Sequence, residues 1–300
     1  MDPARLHGIH AILYALFDAD ERLDRAAMRR QVGACLAAGA HGVAALGLAT
    51  EVAKLAEAER RMLMDWVAED VAGRAPLAFT IYGNSVAEQA EQVRHAARAG
   101  ADWVILQPPM VGSFGPAEYI GFFGRVADAS PVPVAIQNAP AYMGRGLSGE
   151  EFRALTERHP NIRLLKGEGP ATEIAQVIAM CAGRVPVFNG RGGLEFTDNL
   201  RAGCAGLILA PELIDRTVRL YETWREGDEA GAEAQYQAIL PAIVFMMQSL
   251  EALVCYGKRL YGARAGETVH DRAPALRPSP FGLEIVHRLA RQLGPLPGGG

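Results

Sequence analysis

Lysine is nearly absent from this chain. Three occur in 300 residues, Lys54, Lys166 and Lys258, against 27 arginines. The net charge of −4 comes without a basic block, so neither a nucleic acid nor a membrane surface is expected as a partner. Cysteine is sparse too. Cys35, Cys181, Cys204 and Cys255 lie far apart, and no pair has the spacing of a zinc site or a redox motif. They read as reduced, buried, small hydrophobes of a cytoplasmic protein. The first residues lack the apolar core of a signal peptide. No apolar run is long enough to cross a bilayer, which takes about 20 residues. The greasiest stretch, 239–255, is interrupted by Pro241, Gln248, Ser249 and Glu251 and reads as a packed helix. The excess of arginine reads as a compositional habit of the source rather than a function.

What the chain does have is hydrophobic content, 50% of its residues, enough for a large core. Short apolar runs alternate with longer amphipathic ones. The runs at 9–15, 42–46, 77–82, 103–107, 132–137, 162–166, 185–189 and 206–209 read as strands. The segments at 24–38, 56–71, 86–99, 116–127, 148–158, 170–181, 194–202 and 211–226 read as helices. Ser148 with Glu151 makes a capping box. Pro116, Pro170 and Pro211 suit first turns, and Gly100 and Gly203 suit left-handed ends. Eight strand-then-helix units predict an α/β fold, a (β/α)8 TIM barrel over residues 1–226. A doubly wound sheet would show the same alternation. Residues 227–300 read as a C-terminal helical extension, with helices at 228–240, 243–261 and 281–293 and a proline-rich loop at 273–280. This extension is expected to be an appendage rather than a separate function-bearing domain, and its tail, 296–300, to be disordered.

In such a barrel the chemistry sits at the C-terminal strand ends. Lys166 ends the sixth strand, just before Gly167-Glu168. Desolvation there disfavours the ammonium form, and a lysine so placed can fall from about 10.4 toward roughly 7 to 8, where the free amine attacks carbonyls. Glu168 is the acid/base candidate, or a surface residue capping the next helix. Gln137 ends the fifth strand and can bond a substrate without exchanging a proton. The turn Gly47-Leu-Ala-Thr-Glu51 leaves a strand and opens a helix. Its backbone N–H groups at Leu48, Ala49 and Thr50, with the Thr50 hydroxyl, can hold a carboxylate; a plain tight turn capped by Thr50 is the alternative. Asn189, Gly190 and Arg191 open a glycine-rich loop that can meet a distal polar group of the substrate, or a phosphate. His7 and His10 read as structural. No metal ligands are grouped at the mouth.

Read in order, these strand ends resemble the pyruvate-type class I lyases of the dihydrodipicolinate synthase / N-acetylneuraminate lyase family. The resemblance spans nearly the whole chain, from Gly8 onward. It rests on Gly47-Leu-Ala-Thr-Glu51, Gly100-Ala-Asp102, Gln137-Asn-Ala-Pro140, Ile162-Arg-Leu-Leu-Lys166 and Gly203-Cys-Ala-Gly206. It implies a barrel with a helical extension, a homo-oligomer (tetramer or dimer), and no metal or organic cofactor. It implies that Lys166 forms a Schiff base with a 2-keto acid whose carboxylate rests on the loop at Leu48, Ala49 and Thr50.

The departures narrow the expectation. The family's proton-relay tyrosine falls at Gln137, its threonine partner at Leu48 and its paired tyrosines at Met110 and Val111, so the hydroxyl relay is missing. The arginine used for aspartate semialdehyde falls at Tyr142. Dihydrodipicolinate synthesis and sialic acid cleavage are therefore disfavoured. The nearest likeness is to the branch that includes L-2-keto-3-deoxyarabonate dehydratase, which resembles Gln137-Asn-Ala-Pro140 and Lys166-Gly-Glu168. The expected activity is dehydration of a 2-keto-3-deoxy sugar acid. The alternatives are an aldolase of the same family, an altered dihydrodipicolinate synthase-like enzyme, a phosphate-sugar enzyme, and a barrel that binds a sugar acid without turnover.

Overall fold

The computed structural model describes residues 2–298. Eight parallel strands close a barrel in chain order: β1 (Gly8–Ile12), β2 (Gly42–Ala45), β3 (Leu77–Ile81), β4 (Trp103–Leu106), β5 (Val134–Asn138), β6 (Ile162–Gly167), β7 (Val187–Asn189) and β8 (Gly206–Leu209). This is the (β/α)8 barrel, and the doubly wound alternative is excluded by the β1–β8 pairing. The strands are buried on both faces, which is why they read as short apolar runs rather than alternating ones. Residues 13–15, expected in the first strand, lie past its end, although the Leu13 N–H still donates to the Ala44 carbonyl at 2.9 Å, and all three stay buried.

The outer ring is α1 (Arg25–Ala37), α2 (Glu57–Val71), α3 (Val86–Ala99), α4 (Pro116–Asp128), the short α5 (Pro140–Met143), α6 (Gly149–Arg158), α7 (Ala171–Cys181), α8 (Phe196–Arg201) and α9 (Ile214–Arg225). Side-chain caps start several of them. Asp24 accepts from the Ala27 N–H, Ser85 from the Glu88 N–H, and Ser148 with Glu151 forms the expected box. Inside the barrel, His10 is fully buried, with its ring edge-on to Trp103 and Phe188. Burial pushes its imidazole down to about 3, so it packs as a neutral ring. All four cysteines are buried and free.

The extension differs from the sequence reading in where it breaks. Pro241 was expected to separate two helices. Instead α10 runs from Glu229 to Met246 through it. Pro241 lies on the exposed face, where the Gln237 carbonyl that loses its partner can meet water. The break falls at 247–249, where Ser249 caps α11 (Leu250–Ala252). A π-helical turn, Leu253–Gly257, then leads into α12 (Lys258–Ala265), and α13 (Pro280–Leu293) follows. Leu296 is buried and its N–H donates to the Arg264 carbonyl. The tail expected to be disordered is thus pinned at its start, while Gly299 and Gly300 lie outside the described residues. No single helix among the described residues is long and apolar enough to cross a membrane.

Buried polar pairs bolt the extension to the barrel. Lys258 Nζ meets Glu51 Oε1, and Glu51 Oε2 meets Lys54 Nζ at 2.5 Å. Arg264 donates to Asp215 at 2.8 Å and to the Glu212 carbonyl at 2.6 Å. Beside that joint, within the barrel, the Tyr14 hydroxyl donates to Glu212 Oε2 at 2.8 Å.

Glu212 is 2% exposed, and burial raises its carboxyl to about 7 from an ordinary 4.5, despite its own backbone N–H, Tyr14 and Arg264. The native state therefore holds a proton that the unfolded chain releases near pH 4.5. The Glu212 contribution to stability falls as pH rises from there to about 7, then levels off. Glu212→Gln is expected to gain on the wild type across that window, reaching about 3 kcal/mol above pH 7. Urea unfolding of both proteins at pH 5 and pH 8 checks this; an unchanging difference between them would refute it.

Candidate active site

The mouth is built from the C-terminal ends of β1, β2, β5, β6, β7 and β8, and the extension roofs it. β5 and β6 are paired so that Gln137 stands beside Lys166 and Asn138 beside Gly167. Lys166 is 3% exposed. Its Nζ lies 3.1 Å from Glu168 Oε1. The same Oε1 accepts the Gln137 amide at 2.6 Å. Gln137 Oε1 in turn accepts from Gln107 Nε2 at 2.8 Å, and the Gln107 carbonyl accepts from Gln89. The chain of amides runs one way and ends on the carboxylate. Glu168 Oε2 has no protein donor among the described residues.

A small cavity of about 40 Å3 opens over Lys166 and Glu168. Leu48, Ala49, Tyr142, Gly190, Arg191 and Gly192 are among its lining residues. Met247, Leu250 and Leu253 cover it from the extension. An apolar roof of this kind excludes water from an imine.

The turn after β2 comes close to the lysine. A methyl group at Gly47 would meet Ile12 at 3.0 Å and would sit 3.6 Å from Lys166 Nζ. Glycine lets this turn pass over the amine. Within the turn, the Thr50 and Glu51 N–H groups are spent on Gly47 and Leu48 carbonyls at 3.1 and 2.9 Å. The N–H groups of Leu48 and Ala49 donate to no protein acceptor among the described residues. Two open donors next to an amine suit the carboxylate of a small keto acid. Leu46 and Glu51 both take left-handed backbone, φ 65° and 56°. Strain of this kind costs roughly 1–3 kcal/mol and gathers at functional loops. At Glu51 it accompanies the ion pair with Lys258.

Two expected binding residues are corrected. Thr50 is fully buried: its hydroxyl donates to the Leu13 carbonyl at 2.6 Å and accepts the Gly47 N–H at 3.2 Å. It braces the turn and has nothing left for a ligand. Asn189 is also fully buried. Its amide nitrogen donates to Gly169 O and Asn199 Oδ1, and its oxygen accepts the Gly190 N–H. It locks the loop after β7 rather than facing the cavity. Buried polar groups pair off with whatever partner lies closest, and neither partner is visible from sequence spacing.

Arg191 does line the cavity, but Glu195 holds its guanidinium at 2.7 Å. A residue already carrying a carboxylate is a poor anchor for phosphate. Gly192, at φ 60°, lets the loop run under Met247, since a Cβ there would sit 2.4 Å from the Met247 sulfur.

The sequence reading gave no role to Gln107 or to the three roof residues, and it placed Tyr142 only where the family's arginine falls. Gln107 carried a signal, a polar residue at a strand end. The roof carried none, because it reaches the mouth from the far end of the chain.

A (β/α)8 barrel with a buried lysine at the end of β6, a carboxylate beside it and open backbone donors after β2 defines the class: lyases that work through a lysine Schiff base. The model of the dihydrodipicolinate synthetase family matches residues 5–276, and the chain belongs to that family. It is 28% identical over 301 residues to the L-2-keto-3-deoxyarabonate dehydratase of Azospirillum brasilense, covering 97% of this chain and 96% of that one. A DapA-like lyase of Halobacterium salinarum is 30% identical over 245 residues, 79% of this chain and 78% of the relative. Among solved structures, YagE from Escherichia coli K12, a member of the dihydrodipicolinic acid synthase family in complex with pyruvate, superposes with a TM-score of 0.89 at 25% identity. That match covers 96% of this chain and 99% of YagE. The protein is thus an enzyme, a Schiff-base lyase, hydro-lyase or aldolase in type, that acts on a small-molecule keto acid.

Proposed function

We propose that the enzyme dehydrates a 2-keto-3-deoxy sugar acid, with Lys166 as the Schiff-base lysine and Glu168 as the base. The observation that carries this is the 3.1 Å contact between Lys166 Nζ and Glu168 Oε1. Once Lys166 has condensed with the 2-keto group, C3 lies two bonds from the imine nitrogen. A carboxylate against that nitrogen reaches the C3 proton more readily than a hydroxyl on C4. Dehydration needs a base at C3, whereas retro-aldol cleavage needs one at the C4 hydroxyl. Gln137, the residue beside Lys166 on β5, cannot take a proton at all.

The roles follow from this geometry. The N–H groups of Leu48 and Ala49 receive the substrate carboxylate. The proton released when the amine attacks has an acceptor on Glu168. Condensation expels water and leaves a protonated imine, an electron sink. Glu168 takes the C3 proton, the enamine expels the C4 hydroxyl, and water hydrolyses the product imine to restore Lys166. Gln137, held by Gln107, aims the Glu168 carboxylate. Gly190 and Arg191 bound the space for the distal end of the substrate. None of these steps calls on a metal or organic cofactor.

A panel of 2-keto-3-deoxy acids, followed by substrate loss and by pyruvate release, tests the assignment. Consumption without pyruvate is the expected result; stoichiometric pyruvate would make the enzyme an aldolase. That second reading has its own support, because YagE is named, provisionally, a 2-dehydro-3-deoxy-D-gluconate aldolase, and a shorter alignment of 241 residues gives 28% identity to it.

We place the enzyme in the cytoplasm as a homo-oligomer, dimer or tetramer. In support, the four cysteines are free, and Met110, Val111 and Phe114 form an exposed apolar patch after β4. Light scattering should return a multiple of the 32.1 kDa chain; a monomer at micromolar concentration would contradict it.

A further inference from the structure

We propose that Tyr142 is the acid that protonates the departing hydroxyl, an assignment that rests on the dehydratase reading above. Hydroxide is a poor leaving group, so the elimination needs a proton donor within reach of the C4 oxygen. The cavity lining offers few candidates. Lys166 is engaged in the imine and Glu168 is receiving the C3 proton. Arg191 is tied to Glu195 at 2.7 Å, and a guanidinium is too weak an acid for the task. Every other lining side chain except that of Tyr142 is aliphatic, a methionine or a glycine. Tyr142 is the remaining group with a proton to give.

Its placement fits the task. Tyr142 stands on α5, directly after β5, so it occupies the same side of the mouth as Gln137. The family's hydroxyl is missing from the strand position, and here a hydroxyl arrives from the following helix instead. The ring is half-buried, and burial raises the phenol above its ordinary range, with the Arg191 guanidinium opposing and Glu168 adding to the shift. The phenol thus starts protonated. Arg191, held by Glu195, lines the same cavity, and its positive charge would stabilise the phenolate left behind.

The step balances. Glu168 takes the C3 proton, and the C3–H pair becomes the new C3=C4 bond of the conjugated system. The C4–O bond breaks with its electrons on oxygen, Tyr142 supplies a proton, and water leaves. Proton transfer from Glu168 to the Tyr142 phenolate resets both groups.

Tyr142→Phe should dehydrate the natural-type 4-hydroxy substrate about 10²–10⁴-fold more slowly. Two readouts should stay within a few-fold of wild type. One is deuterium wash-in to the methyl group of pyruvate, which needs only Lys166 and Glu168. The other is fluoride release from the 4-fluoro analogue, whose leaving group needs no acid. A variant that dehydrates the hydroxy substrate normally overturns the proposal, and so does one that loses fluoride release equally. Should the variant lose methyl exchange through misfolding, the wild type decides. A solvent isotope effect on dehydration but not on fluoride release supports the acid, and equal effects overturn it. A wild type showing neither exchange nor a borohydride-trapped pyruvate adduct brings down the Lys166 reading itself, and this assignment with it. Loss of the Tyr142 role alone leaves both signals in place.

Discussion

Lys166→Ala is expected to abolish turnover, a loss of at least about 10⁴-fold in kcat, since no other group can supply the imine. The same variant should no longer form a covalent adduct with pyruvate under borohydride. The scarcity of lysine makes the result unusually clean. Only Lys54 and Lys258 could compete, and both are occupied by Glu51. Lys258 is moreover fully buried. Peptide mapping of the trapped wild type should therefore find one labelled lysine, on the peptide containing Lys166. Substitution strands Glu168 beside an apolar gap, and an unpaired buried carboxylate costs several kcal/mol. A drop in Tm is thus expected along with the loss of activity, and the trapping result is the specific readout. An adduct on Lys54 or Lys258 would sink the assignment. So would none at all with pyruvate and with longer keto acids.

Glu168→Gln carries the second-largest expectation, a fall of about 10²–10⁴ in kcat from loss of the base. Glutamine keeps the size of the side chain and can still accept the Gln137 amide, so the architecture should survive. Imine formation should persist, and borohydride should still trap pyruvate on Lys166. What should vanish is exchange of the pyruvate methyl protons with solvent, because the enamine forms only when something removes a proton from C3. This split between trapping and exchange separates a base from a residue that merely positions the lysine, whose loss would weaken both together. If Glu168→Gln exchanges protons at the wild-type rate, the base is elsewhere and the dehydratase reading loses its main support.

Much of this molecule could be read from the order of its residues. The barrel was legible because strands buried on both faces write continuous apolar runs, and surface helices write a stripe between them. Caps at Asp24, Ser85 and Ser148 are local, reaching three residues on. Lys166, Glu168 and Gln137 were legible because the barrel rule sends strand ends to one mouth. Other features were less visible. Pro241 looked like a break, and only the exposure of its face explains why α10 continues. Thr50 and Asn189 looked like ligand groups by residue type, yet their buried neighbours, backbone groups and the Asn199 amide, take up their side-chain polar atoms.

Residue order is enough for the eightfold alternation, the lysine at the sixth strand end, the carboxylate two residues on, and the missing hydroxyls at positions 137, 48, 110 and 111. Tertiary structure alone decided which of the named groups face the cavity, what roofs it, and that Tyr142 and Arg191 stand together at its edge. The reason is one of range. Strand, helix and cap signals act over a few residues, where the chain's own geometry fixes the neighbours. A contact such as Lys258 with Glu51 spans 207 positions, and only the packing of the whole core brings its two ends to the same place.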